Sequence, residues 1–369
     1  MTTMLFELSK KWKTMRKRFL LFIYLLCIFN SINADNLDVF YSKTVEGVYV
    51  RYMITGTGVE VGSSRVGYYA NEPCISTSTE GSVTIPAEVT YKGVTYTVTS
   101  ININAFADCT NLTSIILPES IGSIGKNAFK NCSALESINL PNSIYYMGSS
   151  VFSGCSSIKY ISMPSNEHMR TIGDYFFEKC QSLTSVSIPS NIQTIEKYAF
   201  YECQSLGSIQ LPLGLTVLEE GVFERCTSLS EIEIPANVCN IGNYALKLCP
   251  ITNITLPEIL VSIGDEAFSQ TMITEMEIPD NVQDIGAGAF KNCGELISVK
   301  ISNNVSVIKN ETFSGCYSLK SVEIPQNVTE IASGTFSYCT NLTSVVIHGD
   351  IIIGDKAFAM CRSLKDISL

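Results

Sequence analysis

The sequence is poor in charge and in the side chains that build catalytic or metal centres. Charged residues make up 16% of its 369 residues, and it contains only two histidines, His168 and His348. A metal or triad site built on histidine therefore has little material to use. Acidic residues outnumber basic ones by 35 to 25, which argues against binding to a phosphate backbone by bulk electrostatics. We expect no nucleic-acid partner, no metal and no other cofactor.

Long apolar runs are also scarce, and the longest lies near the N-terminus. A basic cluster at residues 15–18 precedes an eleven-residue apolar run at 19–29 and a polar stretch at 30–34. This order is typical of a secretory signal peptide, and the run is shorter than the about 20 residues of a membrane-spanning helix. We predict a signal peptide over residues 1–34 and a product that is secreted or held at the cell surface.

Hydrophobic residues nevertheless make up 46% of the chain, which excludes a disordered or collagen-like protein, and most follow a repeat of about 23 residues. The repeat template is I-G-x-x-A-F-x-x-C-x-x-L-x-x-I-x-I-P-x-x-V-x-x. The cysteine is kept in eleven of twelve copies, and the exception is Thr271. The aromatic position of the twelve copies reads Phe106, Phe129, Phe152, Phe177, Phe200, Phe223, Leu246, Phe268, Phe290, Phe313, Phe336 and Phe358.

Each copy predicts one short strand and one compact turn. In the second copy Ile138 and Leu140 flank Asn139, so the two apolar side chains share one face of a strand, and Pro141 ends that strand. The A-F-x-x-C segment suits a short helical or tight turn that buries Phe and Cys. One copy alone cannot bury these faces, but stacked copies can. We predict a repeat solenoid of about twelve coils, with a parallel β-sheet on one face and short helical or turn segments on the other.

A glycine follows the first isoleucine of the template in seven copies, including Gly125 and Gly148. In other copies the position holds a residue with a side chain, as at Glu196. Glycine is therefore favoured there, but a positive φ cannot be required.

The template resembles the BspA-like, treponemal-type leucine-rich repeat of bacterial and some protist surface proteins. The resemblance covers about residues 83–369 and implies a leucine-rich repeat fold. It also implies an adhesin-like module that binds other proteins, with host extracellular-matrix glycoproteins and proteins of neighbouring cells as the candidate partners. No binding residue can be carried over, because the motif positions are core positions.

Three regions follow from these patterns: a signal peptide at 1–34, a β-rich N-terminal cap at 35–82 and the solenoid at 83–369. Residues 47–62 read as two β-like runs around a glycine-bearing turn, which predicts a hairpin over the first coil. A second hairpin is expected around Lys92-Gly93, and residues 165–168 predict a surface bulge. The last strand of the repeat lacks a capping segment, so we expect either self-association through that edge or a longer parent chain.

Cysteine usage predicts free thiols. Removal of residues 1–34 leaves 13 cysteines, an odd number, and eleven occupy one register of the repeat. We interpret these as a buried ladder of small apolar side chains. Cys74 and Cys239 lie outside the register and are candidates for a reactive pair or free thiols. Zinc is disfavoured, because ligands 23 residues apart do not converge on a tetrahedral site.

The outward strand positions are mostly serine, but two copies carry glutamates: Glu231, Glu233, Glu275 and Glu277. We interpret these as an acidic patch that the pattern favours as ordinary solvated charge, with binding of a basic protein segment or a divalent cation as the functional alternative. The sequence predicts a binding protein and not an enzyme. Two other functions stay open, a glycan-binding or carbohydrate-active solenoid and a structural spacer or assembly unit.

Overall fold

Residues 39–62 and 72–368 are described in a computed structural model of the chain. Within these ranges all regular structure is β-strand, and no helix occurs that could cross a membrane. The signal peptide predicted at 1–34 lies outside the described residues. From residue 81 onward the chain coils about twelve times, and strands of successive coils align in two parallel columns. This confirms the predicted solenoid.

The first column is the strand predicted from the L-x-x-I-x-I segment. Where neighbouring strands pair, they pair in parallel with equivalent residues in register, as in Tyr160 with Ser185. Where the template proline is present, the strand ends one to three residues before it. The first-column strands are β4 (Gly81–Thr84), β7 (Leu112–Ile116), β9 (Ser137–Asn139), β11 (Tyr160–Ser162), β13 (Ser185–Ser187), β15 (Ser208–Ile209), β17 (Glu231–Ile232), β20 (Glu275–Glu277), β22 (Ser298–Lys300), β24 (Ser321–Ile324), β26 (Ser344–Ile347) and β28 (Asp366–Ser368).

A second column of parallel strands runs along another side of the coils, and the sequence did not predict it. Most of its members are two residues long and end on the isoleucine before the template glycine. These strands are β6 (Val94–Ile101), β8 (Ser123–Ile124), β10 (Tyr146–Met147), β12 (Thr171–Ile172), β14 (Thr194–Ile195), β16 (Val217–Leu218), β18 (Asn240–Ile241), β19 (Ser262–Ile263), β21 (Asp284–Ile285), β23 (Val307–Ile308), β25 (Glu330–Ile331) and β27 (Ile352–Ile353).

The N-terminal region contains the two predicted hairpins. Its remaining strands are β1 (Val39–Lys43), β2 (Tyr49–Thr55), β3 (Gly58–Val61) and β5 (Glu88–Tyr91). Strands β2 and β3 pair antiparallel, and β3 also pairs in parallel with β6, so the first hairpin continues the second column. Strands β5 and β6 form the second hairpin, whose turn residues Lys92 and Gly93 both have positive φ, as a tight hairpin turn requires.

The A-F-x-x-C segment forms a tight turn and not a short helix. Residues two before and two after the aromatic position adopt a positive φ, as at Asn127 (56°) and Asn131 (59°) around Phe129. The amides of these three residues donate hydrogen bonds to carbonyls of the next coil, with N···O distances between 2.7 and 3.0 Å. The turn therefore forms a third hydrogen-bonded column between coils.

The core is a stack of aromatic rings, one per coil. Neighbouring rings are nearly parallel, with centroids 5.2–5.8 Å apart from Phe106 to Phe223 and from Phe268 to Phe358. Leu246 interrupts the stack, and its coil also lacks a first-column strand. The rings contact each other over two separate runs of coils.

The template glycine allows two coils to approach closely. A Cβ added at Gly148 would lie 2.6 Å from the backbone nitrogen of Lys126 and 2.8 Å from its Cα. Six of the seven template glycines would place a Cβ within 3.0 Å of the preceding coil, and none has a positive φ. The preference for glycine therefore arises from close backbone contact, in agreement with the conclusion that positive φ is not required.

Replacing a stacked ring should cost much of the stability of its neighbours. Phe223 is fully buried and stacks on Phe200 at 5.3 Å, so F223A should lower the free energy of unfolding by about 3–5 kcal/mol through the cavity it leaves. Urea denaturation followed by circular dichroism measures this change. The exposed variant Y338A is the control, and an unchanged midpoint in F223A would contradict the stacked core.

Two glycines offer a matched test of the backbone contact. We expect G148A to destabilise the protein by about 1–3 kcal/mol, because its Cβ overlaps the backbone of Lys126. G207A should be neutral or slightly stabilising, since nothing lies within 4 Å of the added Cβ and Gly207 has no positive φ. Equal thermal midpoints for the two variants would exclude the proposed cause.

Candidate binding face

The outward side chains of the first-column strands form a regular polar surface, which we call the outer face. In β11 the side chains of Tyr160 and Ser162 are exposed, whereas Ile161 between them is buried. The same alternation holds in β13 and β20. Because the inward positions are filled by the core, the residues of the outer face are free to differ between coils without disturbing the stack.

The four predicted glutamates all lie on the outer face or at its margin, and all are exposed. Glu231 begins β17, Glu233 follows that strand, and Glu275 and Glu277 begin and end β20. The coil between β17 and β20 has no first-column strand, so the two pairs lie two coil steps apart, about 10 Å. The acidic patch is therefore divided into two parts.

One of the four glutamates is paired. Lys300, one coil further along the same row, places Nζ 2.5 Å from Oε1 of Glu277, and this hydrogen bond raises the pKa of Lys300. Glu231, Glu233 and Glu275 have no hydrogen-bond or ion-pair partner in the part of the chain that the structure describes. In that same part, no three His, Cys, Asp or Glu side chains come together in a group that could hold a metal ion. Three carboxylates are thus available to a cationic partner.

A groove of about 650 Å³ crosses the outer face between β7 and β13, and the sequence did not predict it. Its lining includes Ile116, Asn139, Tyr160, Ser162 and Ser187. Ile116 is 54% exposed and Tyr160 is 55% exposed, so the groove offers apolar surface to solvent. Tyr160 interrupts a row of serines, and this interruption was the available signal.

Some polar groups of the groove bond within the protein and others do not; the Oγ of Ser114 donates a hydrogen bond to the Oγ of Ser82 at 2.9 Å. Asn142 accepts hydrogen bonds from the amide and hydroxyl of Ser165, at 3.1 and 3.3 Å, in the bulge predicted at 165–168. The side chains of Asn139, Ser162 and Ser187 make no hydrogen bond to any described residue. The groove therefore presents free hydroxyl and amide groups beside an exposed ring.

The repeat cysteines form the predicted column of free thiols, and each also makes a specific contact. The Sγ of Cys132 donates a hydrogen bond to the carbonyl oxygen of Phe106 in the preceding coil, at 3.0 Å. The same bond recurs with Sγ···O distances of 3.0–3.3 Å in nine further coils. Thr271 instead bonds the carbonyl of Phe268 in its own coil. Burial raises the pKa of Cys293 to about 11 and that of Cys339 to about 12.

The cysteines and histidines outside the repeat register differ in their exposure and in their contacts. Cys74 is buried and extends the thiol column next to Cys109, whereas Cys239 is partly exposed and donates to the carbonyl of Thr216. Both are free thiols, which is one of the two alternatives expected for them. His168 is exposed in the bulge, and His348 is an exposed side chain whose Nε2 lies 2.8 Å from Glu323.

A family model described as a BspA-type leucine-rich repeat region matches the chain over residues 86–169, 165–271 and 261–369, in six copies. None of the curated proteins matches the sequence. Solved structures of bacterial leucine-rich repeat proteins are similar. A protein of Bacteroides ovatus is 28% identical, with a TM-score of 0.64 over 91% of this chain and 94% of its own.

Two further structures share the fold at lower identity. A leucine-rich cell surface protein of Faecalibacterium prausnitzii is 22% identical, with a TM-score of 0.54 over 90% of this chain and 95% of its own. A leucine-rich repeat protein of Eubacterium ventriosum is 20% identical, with a TM-score of 0.52 over 90% of this chain and 91% of its own. These likenesses support the coil architecture alone.

The buried thiols predict a loss of stability at alkaline pH. An unfolded cysteine ionises near its ordinary pKa of 9.0, whereas folded Cys293 stays protonated to about pH 11. The unfolded state therefore releases protons first, and the free energy of unfolding should fall between these pH values by about 1.4 kcal/mol per pH unit for each such thiol.

Urea midpoints measured across this range, under reducing conditions, test the prediction. In C293A the free energy of unfolding should fall less steeply with pH than in the wild type, by an amount that corresponds to about one proton. V151A, which truncates a fully buried apolar side chain, is the control for destabilisation alone and should keep the wild-type slope. A C293A slope equal to that of wild type would contradict the assignment.

Proposed function

Because the chain belongs to the BspA-type leucine-rich repeat family, we propose that it is a secreted or cell-surface module that binds other proteins through its outer face. The observation that carries this proposal is the set of carboxylates on that face, at Glu231, Glu233 and Glu275, that are exposed and have no partner among the described residues. Charged groups held at fixed spacing on a repeat scaffold suit recognition of a cationic surface.

Three observations support a location outside the cytoplasm. Residues 1–34 have the basic, apolar and polar order of a signal peptide. The family resemblance implies surface proteins, and the Faecalibacterium structure with the same fold is described as a cell surface protein. Repeat solenoids also fit this setting, since they present a long surface for large partners.

The partner class follows from charge. The chain carries a net charge of −10, and the unpaired glutamates lie at two places about 10 Å apart on one face. Such an arrangement suits an extended basic segment, which can contact both places at once. It suits a single small cation less well. Extracellular-matrix glycoproteins are the first candidates, since the resemblance implies this class.

Biolayer interferometry of the purified protein against fibronectin and fibrinogen tests the proposal. We expect saturable binding at physiological salt that weakens as salt is raised. E231K/E275K should bind about tenfold more weakly, because both replacements bring positive charge toward a basic partner. E88K/E330K changes two acids outside the outer face and should bind like the wild type. Binding equal in the two double variants would exclude the acidic groups as the contact.

A further inference from the structure

We propose that the groove between β7 and β13 binds a neutral oligosaccharide, with Tyr160 as its stacking platform. This site is separate from the acidic residues of the proposed protein-binding function, so each proposal can fail without the other. Its volume of about 650 Å³ falls within the range of small-molecule sites.

The chemistry of the lining selects a neutral and polar ligand. The groove is lined by the serines Ser114, Ser137, Ser162, Ser165 and Ser187, the amides of Asn139 and Asn142, and apolar side chains. None of its lining residues is Asp, Glu, Lys, Arg or His. Hydroxyl and carboxamide groups both donate and accept hydrogen bonds, as the hydroxyls of a sugar do. An acidic saccharide would find no cationic side chain to neutralise it.

Tyr160 supplies the surface that a sugar needs on its apolar face. The residue is 55% exposed and its ring contacts no other aromatic ring among the described residues. Ile116 is 54% exposed on the other side of the groove and adds apolar area. A ring at the edge of a polar groove can pack against the C–H groups of a pyranose while its hydroxyl bonds water or ligand.

The spacing of the coils suits a linear chain of sugar units. Asn139, Ser162 and Ser187 occupy equivalent positions in three successive coils, and Ser162 pairs directly with Ser187 in the register of β11 and β13. Successive coils lie about 4.8 Å apart, a rise similar to the length of one pyranose unit. One free polar side chain per coil can therefore meet one sugar unit of an oligosaccharide lying across the strands.

The same lining predicts binding without hydrolysis. Glycoside hydrolysis commonly uses two carboxylic acids on either side of the scissile bond, and no Asp or Glu lines the groove. A bound oligosaccharide should be released at its original length. This separates the proposed site from the carbohydrate-active alternative raised by the sequence.

Isothermal titration calorimetry tests the proposal on the full chain. The probes are uncharged linear hexasaccharides of glucose, mannose and xylose, with a galacturonate hexamer as the acidic comparison. We expect saturable binding of at least one neutral probe. Y160A should weaken it about tenfold through loss of the stacking surface, and N139L should weaken it through loss of the amide.

Y146A is the matched control, since Tyr146 is 56% exposed but lies in the second column. It should bind like the wild type, and chromatography of the recovered probe should show an unchanged hexamer. The proposal is overturned if no neutral probe binds, if only the acidic hexamer binds, or if Y160A and Y146A bind equally. It is also overturned if an uncharged extended peptide occupies the groove and no saccharide competes with it.

Discussion

The packing of one phenylalanine ring on the ring of the next coil is the interaction on which the rest of this structure depends. Centroid separations of 5.2–5.8 Å hold successive coils at a nearly constant distance. At that distance the thiol of each repeat cysteine reaches the carbonyl of the preceding phenylalanine, as from Cys132 to Phe106. The same closeness leaves no space for a Cβ at Gly148. Three positions of the template are thus set by one packing distance.

Much of this arrangement could be predicted from the sequence, because a core position repeated every 23 residues must occupy the same place in every coil. The first-column strands and the buried thiols followed from that rule, whereas the two hairpins followed from β-like runs on either side of glycine-bearing turns. The second column did not, since two-residue strands such as Ser123–Ile124 are too short to show an alternating pattern. The turn around Phe129 was equally hidden, because its positive φ angles fall on asparagine in one coil and on other residues elsewhere.

The outer face was likewise predictable only in part. The sequence correctly placed Glu231, Glu233, Glu275 and Glu277 outward, since the parity of a strand residue determines its side. Lys300, the ion-pair partner of Glu277, lies one repeat further along the chain, so this pair could have been found from the template. The groove could not, because it depends on how Tyr160, Asn139 and the bulge at 165–168 come together in three dimensions. In the sequence the groove is marked only by Tyr160, which interrupts the row of outward serines, and the structure is needed to show which residues surround that ring.

The coil that contains Leu246 has a mechanical consequence. It lacks the aromatic ring and the first-column strand, and Thr271 in the next coil does not bond back to it. Backbone hydrogen bonds between β18 and β19, and those from the turn amides of Tyr244, Leu246 and Leu248 to the next coil, still join the two sides. In an array stabilised by nearest neighbours, this junction lacks the ring, strand and thiol contacts named above, so we expect it to open first when the solenoid is pulled. Glu231 lies before the junction and Glu275 after it, so tension from a bound partner would separate the two contact points while each block stays folded.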